Sequence, residues 1–197
     1  IISSMDMLGL SAQETNISNV SDPILLQSPL VSQAYELLEL GDSAGALDHF
    51  QEALTDNSED LSALLGQAMI LADLGRHAEA YSSYDKIVAN YPSHAFAWNG
   101  RGLAAFNMED FDTALSSFKK ATAEQPVNGF FYESLAWVQM CRGKFPEAAV
   151  AAKIATLMYN KKGESSVYPL LIAHFAYLQA DDQRNAQASL NYALRNK

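Results

Sequence analysis

The string GDSAG at residues 41–45 satisfies G-x-S-x-G, the pattern that presents a serine nucleophile on a sharp turn between a strand and a helix. Taken alone, it makes Ser43 a candidate for acyl-transfer chemistry, which needs a histidine and an acid as partners. The chain offers His49, His77, His94 and His174. None sits in a recognisable catalytic setting, and no two of them stand four residues apart on one helix face, so they suggest neither a triad nor a zinc site. Cys141 is the one cysteine, which leaves no intramolecular disulfide and no thiolate-based metal site. No glycine-rich phosphate loop is present. The tripeptides NIS at Asn16 and NVS at Asn19 match the glycosylation sequon, a match expected by chance in a Ser- and Asn-rich stretch. The expectation is no catalytic residue, no metal and no cofactor.

The elements around Ser43 decide its reading. A nucleophile elbow needs a strand before the serine, but SQAYELLEL precedes it with a helical pattern. No β-rich run is available to build a sheet. Sliding the chain against itself by 34 residues puts Ala80 on Ala114, Tyr84 on Phe118, Ile87 on Ala121 and Pro92 on Pro126. A step back from Ala80 reaches Ala46, and steps forward reach Ala148 and Ala155. Repeats of this length stack as supersecondary units. The blocks are 27–60, 61–94, 95–128 and 129–162, followed after Gly163–Ser166 by a fifth at about 167–197.

Within each block two helices are expected. In 95–128, Trp98, Gly102 and Ala105 mark one face of the first, and Ala114, Phe118 and Ala121 mark one face of the second. NMEDFD separates them, and Pro126 stands where the second cannot continue. Small residues let backbones approach, while Trp98 and Phe118 fill the space between layers. A helix pair cannot cover its own apolar faces, so stability comes from stacking. On this reading GDSAGA is the turn between the helices of its block, matched by GRHAEA, EDFDTA, GKFPEA and DDQRNA in the others. Gly41 and Gly75 suit the left-handed end of a helix. Asp42 or Ser43 suits an N-cap, and Pro146 suits a first turn.

The chain resembles the tetratricopeptide repeat family on these residues. The family's bulky and small first-helix positions, and its Ala, aromatic, Ala and Pro second-helix positions, are met by Trp98, Gly102, Ala114, Phe118, Ala121 and Pro126. Leu64, Ala68, Leu71, Ala80, Tyr84 and Pro92 meet them in the block before. Block 27–60 supplies Leu30, Ala34, Leu37, Ala46, Phe50 and Ala53. Block 129–162 departs with Ala152 at the aromatic place and Asn160 at the proline place, so looser packing is expected there. The last block puts His174 at a small position and Leu190 at the aromatic one. The resemblance implies an all-α fold: a right-handed superhelical array of antiparallel helix pairs, about five repeats over 27–197.

It also implies a function. In the family, first helices line a concave groove that holds peptides or helices. The groove positions here fall on Tyr35, Leu65, Met69, Phe96, Asn99, Leu103, Phe106, Phe130, Glu133, Trp137, Met140 and Phe175. Such a stripe is either core or a docking face for apolar anchors. A subfamily that grips terminal carboxylates uses cations and asparagine at places held here by Leu65, Gly66, Phe96 and Gly100, with Asn99 alone polar. That specificity is not expected. The implied role is a non-enzymatic interaction scaffold, with a client-shielding chaperone or a self-associating scaffold as alternatives.

Charge narrows the partners. Residues 1–75 carry twelve acids and no Lys or Arg, within a net charge of −10. Nucleic acid is therefore not an expected partner. No apolar run reaches the roughly 18 residues of a membrane span, so direct membrane insertion is not expected either. Residues 1–26 lack the repeat signature and read as either a flexible tail or a segment that docks in this groove or in a neighbour's. Self-association is open through that extension or through an uncapped last repeat, where Leu190, Tyr192 and Leu194 need cover. The chain opens on Ile1 rather than Met, and a cytoplasmic location is expected by default, with other compartments open.

Overall fold

The computed structural model describes residues 28–195. Residues 1–27 and 196–197 lie outside the described residues, and the expectations placed on the N-terminal extension lie there with them. All regular structure among the described residues is helical. In chain order the helices are α1 (Pro29–Glu39), α2 (Ser43–Asp56), α3 (Leu61–Asp73), α4 (His77–Asn90), α5 (Ala95–Asn107), α6 (Phe111–Glu124), α7 (Gly129–Cys141), α8 (Phe145–Lys162), α9 (Val167–Gln179) and α10 (Gln183–Arg195). The chain forms two compact units that divide after Tyr91.

One turn geometry closes the first helix of each of the five pairs, and it recurs at Gly163 after α8. Gly41, Gly75, Glu109, Gly143 and Asp181 all have positive φ, between +58° and +81°. After each, the next amide donates to a carbonyl five residues back: Asp42 to Leu37, Arg76 to Leu71, Asp110 to Ala105, Lys144 to Gln139 and Asp182 to Tyr177, at 2.8–3.0 Å. This is the Schellman closure that satisfies the last carbonyls of a helix. After three of these five turns a side chain then caps the following helix; Arg76 and Lys144 at the other two make no side-chain cap bond. Asp42, Asp110 and Asp182 accept from the amides of Gly45, Thr113 and Asn185 at 2.9, 3.1 and 3.1 Å. Of the two cap candidates in GDSAG, Asp42 is the cap, and Ser43 is the exposed first residue of α2. The element before Ser43 is helix α1, so the strand that a nucleophile elbow requires is not there.

In the first unit, α1 packs on α2, α2 on α3 and α3 on α4. Phe50, Leu64 and Ile87 are fully buried. In the second unit, α5 pairs with α6, α7 with α8, and α9 with α10, while α6 meets α7 and α8 meets α9. The first helices of these pairs also touch, α5 with α7 and α7 with α9, so they stand side by side. Between them the core is built from small residues, among them Ala104, Ala105, Ala136, Ala148, Ala152 and Ala176, with Phe118 and Phe131 as the large fillers.

Block 129–162 is where the pattern departs, and the structure gives the reason. Asn160 does not stop α8, which runs 18 residues and ends at Gly163 in the left-handed conformation, φ +72°. Ala152 at the aromatic place is fully buried. In the last pair, His174 bridges the two helices: its Nδ1 donates to the Ala186 carbonyl at 2.8 Å.

Candidate functional site

The expected groove residues fall in both units. In the first, Tyr35 on α1 is held by the core: its ring meets Phe50 edge-on at 5.1 Å, and its hydroxyl donates to the Ser62 carbonyl at 3.1 Å. Burial, with the Asp60 charge second, holds its phenol above the usual range. Leu65 and Met69 lie one turn apart on α3, both half-buried.

In the second unit, α5 contributes Phe96, Asn99, Leu103 and Phe106. Phe96 packs edge-on against the buried Phe131 at 5.0 Å, and Phe130 lies against the same ring at 6.4 Å. Phe106 meets Phe111 edge-on at 5.4 Å. Asn99 is buried, and its Oδ1 has no hydrogen-bond partner among the described residues. Phe96, Leu103, Phe106 and Phe130 are half-buried, the position of a side chain on the rim of a packed layer.

Trp137, Met140 and Phe175 are brought together. They line a pocket of about 490 Å³ between α7, the start of α8 and α9, whose other walls are Phe145, Tyr168, Leu171, Ile172 and Gln179. Met140 anchors the floor, packing with Tyr177 against the buried Ala148, Ala149 and Ala176. Trp137 and Tyr168 face each other with ring centroids 5.9 Å apart. All the same, Trp137 is 37%, Tyr168 53% and Phe175 55% exposed. A contiguous open patch of large apolar groups is the usual mark of an interaction site.

Phe145, Tyr168, Leu171 and Ile172 were not among the expected residues. Tyr168, Leu171 and Phe175 keep the 3- and 4-residue spacing of one helix face, a signal masked by the phase shift after Gly163–Ser166. Phe145 sits where Phe111 sits one period earlier, and both fall within the turn strings GKFPEA and EDFDTA.

Glu133 is the ionisable exception on this face. It stands between Phe130 and Trp137 on α7, half-buried. The Tyr159 hydroxyl of α8 donates to its carboxylate. The approach depends on Gly129 at the start of α7: a Cβ there would stand 3.2 Å from the Ala155 carbonyl oxygen and from the Tyr159 ring. Loss of water pushes the Glu133 carboxyl up to about 7, opposed only in part by the Tyr159 bond. Tyr159 is raised in turn, first by burial, then by the Glu133 charge and the shared bond, and last by Glu164.

Two of the histidines serve helix structure. His49 donates from Nδ1 to the Gly45 carbonyl at 2.8 Å, and His94 caps α5 by accepting from the Ala97 amide at 3.1 Å. No three metal-binding side chains are grouped among the described residues. No helix among them is long and apolar enough to cross a membrane.

The tetratricopeptide repeat family model matches residues 31–95 and 99–155. Among solved structures, a MamA protein is 20% identical with a TM-score of 0.78, covering 85% of this chain and 89% of that one. Residues 41 to the end of MamA from Desulfovibrio magneticus RS-1 are 17% identical with a TM-score of 0.76, covering 85% and 95%. A thermophilic tetratricopeptide repeat protein of Thermus thermophilus is 21% identical with a TM-score of 0.63, covering 85% and 89%. At these identities the likeness is one of fold. No curated protein matches the chain by sequence.

Proposed function

We propose that this chain, which belongs to the tetratricopeptide repeat family, binds a peptide or helical segment of a partner protein on the first-helix face of its second unit. Members of the family serve in general as scaffolds for protein–protein interaction. The observation that carries the finer reading is the open pocket of Trp137, Met140, Tyr168 and Phe175. A side chain entering it would remove large aromatic surfaces from water, and each buried anchor of Leu or Phe size contributes about 1.5–3 kcal/mol. Aromatic rings suit this work because they offer large rigid contact area at low entropic cost, and methionine because its flexible thioether adapts to an entering side chain. A client-shielding role uses the same face on a larger ligand.

The test is selection of binders from a random peptide library on the immobilised full chain, followed by affinity measurement against Trp137→Ala/Phe175→Ala. Peptides that bind the wild type and lose at least about tenfold on the double variant support the reading. Peptides that bind both proteins equally contradict it.

A second reading, self-association, is favoured by one observation. Leu157, Tyr192 and Leu194 are exposed on α8 and α10, beside a pocket of about 390 Å³ walled by Leu157, Tyr177 and Tyr192. Light scattering over a range of concentrations tests it: a mass that rises with concentration supports it, and a constant monomer mass contradicts it.

A further inference from the structure

We infer that the segment held on this face carries a lysine or arginine close to its apolar anchor, and that this cation pairs with Glu133. The inference rests on the peptide-binding reading above and names the partner's chemistry.

Helices α5, α7 and α9 carry two formal charges, Arg101 and Glu133. Arg101 is turned toward α6, where it donates to Ser117 Oγ at 2.8 Å and lies over the Trp98 ring. Glu133 is left as the charge on a face otherwise made of Phe96, Phe130, Trp137, Met140 and Phe175. It precedes Trp137 by one helical turn, about 6 Å along the axis. A segment that fills the pocket and runs along α7 therefore passes over the carboxylate.

In the ionised form, which prevails above about pH 7, an apolar occupant would strip the remaining water from a carboxylate that has one hydroxyl donor, Tyr159. Burying a charge without a counter-charge is costly. Lysine or arginine supplies that counter-charge together with a charge-assisted hydrogen bond, and its methylene stem lies well against aromatic rings. The groups that act on Glu133 add no competing cation. Tyr159 comes from α8, and Glu164, in the turn after α8, raises Tyr159 further. The half-buried residues of α5 are uncharged apart from Arg101, and His174 of α9 is engaged with Ala186. The chain's own first 26 residues are a poor fit, because they contain Asp6, Glu14 and Asp22 and no Lys or Arg.

The test pans random peptides against the full chain, then measures the binders against Trp137→Ala, Glu133→Gln and Glu133→Lys, with circular dichroism confirming that each variant is folded. The expected result is enrichment of Lys or Arg within about four residues of an aromatic or aliphatic anchor. Affinity should fall roughly tenfold on Glu133→Gln and further on Glu133→Lys. It should also rise from pH 6 to pH 8 as the carboxylate gains its charge. Binders that need Trp137 but carry no basic residue, ignore Glu133→Gln or weaken as pH rises overturn the cation pairing and leave the groove reading standing. A synthetic peptide of residues 1–26 that binds this face as tightly as the selected peptides also overturns it. Binders that ignore Trp137→Ala, or no binders at all, overturn both.

Discussion

The ring of Phe118 occupies the space that a side chain on Gly102 would need: a Cβ there would lie 2.5 Å from the ring. Gly66 and Phe50 hold the same relationship in the first unit, at closer range. In both places an aromatic ring on a second helix is admitted by a glycine on a first helix. Alanine is the better helix former by roughly 1 kcal/mol, but overpacking costs about 1–3 kcal/mol. Gly102→Ala should therefore destabilise by up to about 2 kcal/mol net in urea unfolding. Phe118→Leu in the same chain should recover part of the loss, because the two residues share one space.

Turn chemistry separates Asp42 from Ser43. Asp42→Ala removes the acceptor for the Gly45 amide and should cost about 1 kcal/mol. Ser43→Ala removes no cap and should change stability by a few tenths at most. Thermal unfolding of the two variants side by side checks this, and an ester-hydrolysis assay should show no activity that depends on Ser43.

Glu109 and Asp181 sit at φ +62° and +58°, where the equivalent residues in the other turns are glycine. A non-glycine residue there costs roughly 1–2 kcal/mol, and glycine returns part of that in unfolded-chain entropy. Glu109→Gly should stabilise by about 0.5–1 kcal/mol, and Gly75→Ala should destabilise by about 1 kcal/mol. Denaturant midpoints at unchanged slope provide the measurement.

Glu133 should make stability pH-dependent. Its carboxyl titrates at about 7 in the fold, above the usual value of about 4.3 for an unfolded glutamate. The proton is therefore held more tightly by the folded state. The stabilisation this represents is complete below the unfolded value of about 4.3, and is lost as pH rises through 7. Glu133→Gln cannot ionise, so its stability relative to wild type should improve between pH 5 and pH 8. The change is on the order of 1–2 kcal/mol after allowance for partial solvent screening. Urea unfolding of both proteins at the two pH values checks the sign.

The helix pairs were legible in the sequence because a period of 34 repeats the same small and aromatic residues, and because Gly41, Gly75 and Gly143 punctuate it. The extra length of α8 was not expected: Asn160 in place of proline suggests looser packing, whereas without a proline the helix runs on to Lys162. The candidate site was only partly legible. Phe130, Trp137 and Met140 follow from the phase of one helix, and Phe175 from the phase of the next. Tyr168 and Phe145 close the pocket from across a helix boundary, which periodicity along one element does not report. The Tyr159 bond to Glu133 depends on a backbone approach at Gly129, a tertiary fact with no local pattern.

The account rests on Trp137 lying at the centre of a ligand face, and Trp137 can report on itself. The chain has two tryptophans. Trp98 has its indole N–H tied to the Pro92 carbonyl at 2.7 Å, so Trp98→Phe leaves Trp137 as the single emitter. Titrating that variant with a selected peptide should shift its emission to the blue, saturating at the affinity found by calorimetry, as the pocket loses water. A peptide that binds by calorimetry while Trp137 emission stays unchanged would contradict the account.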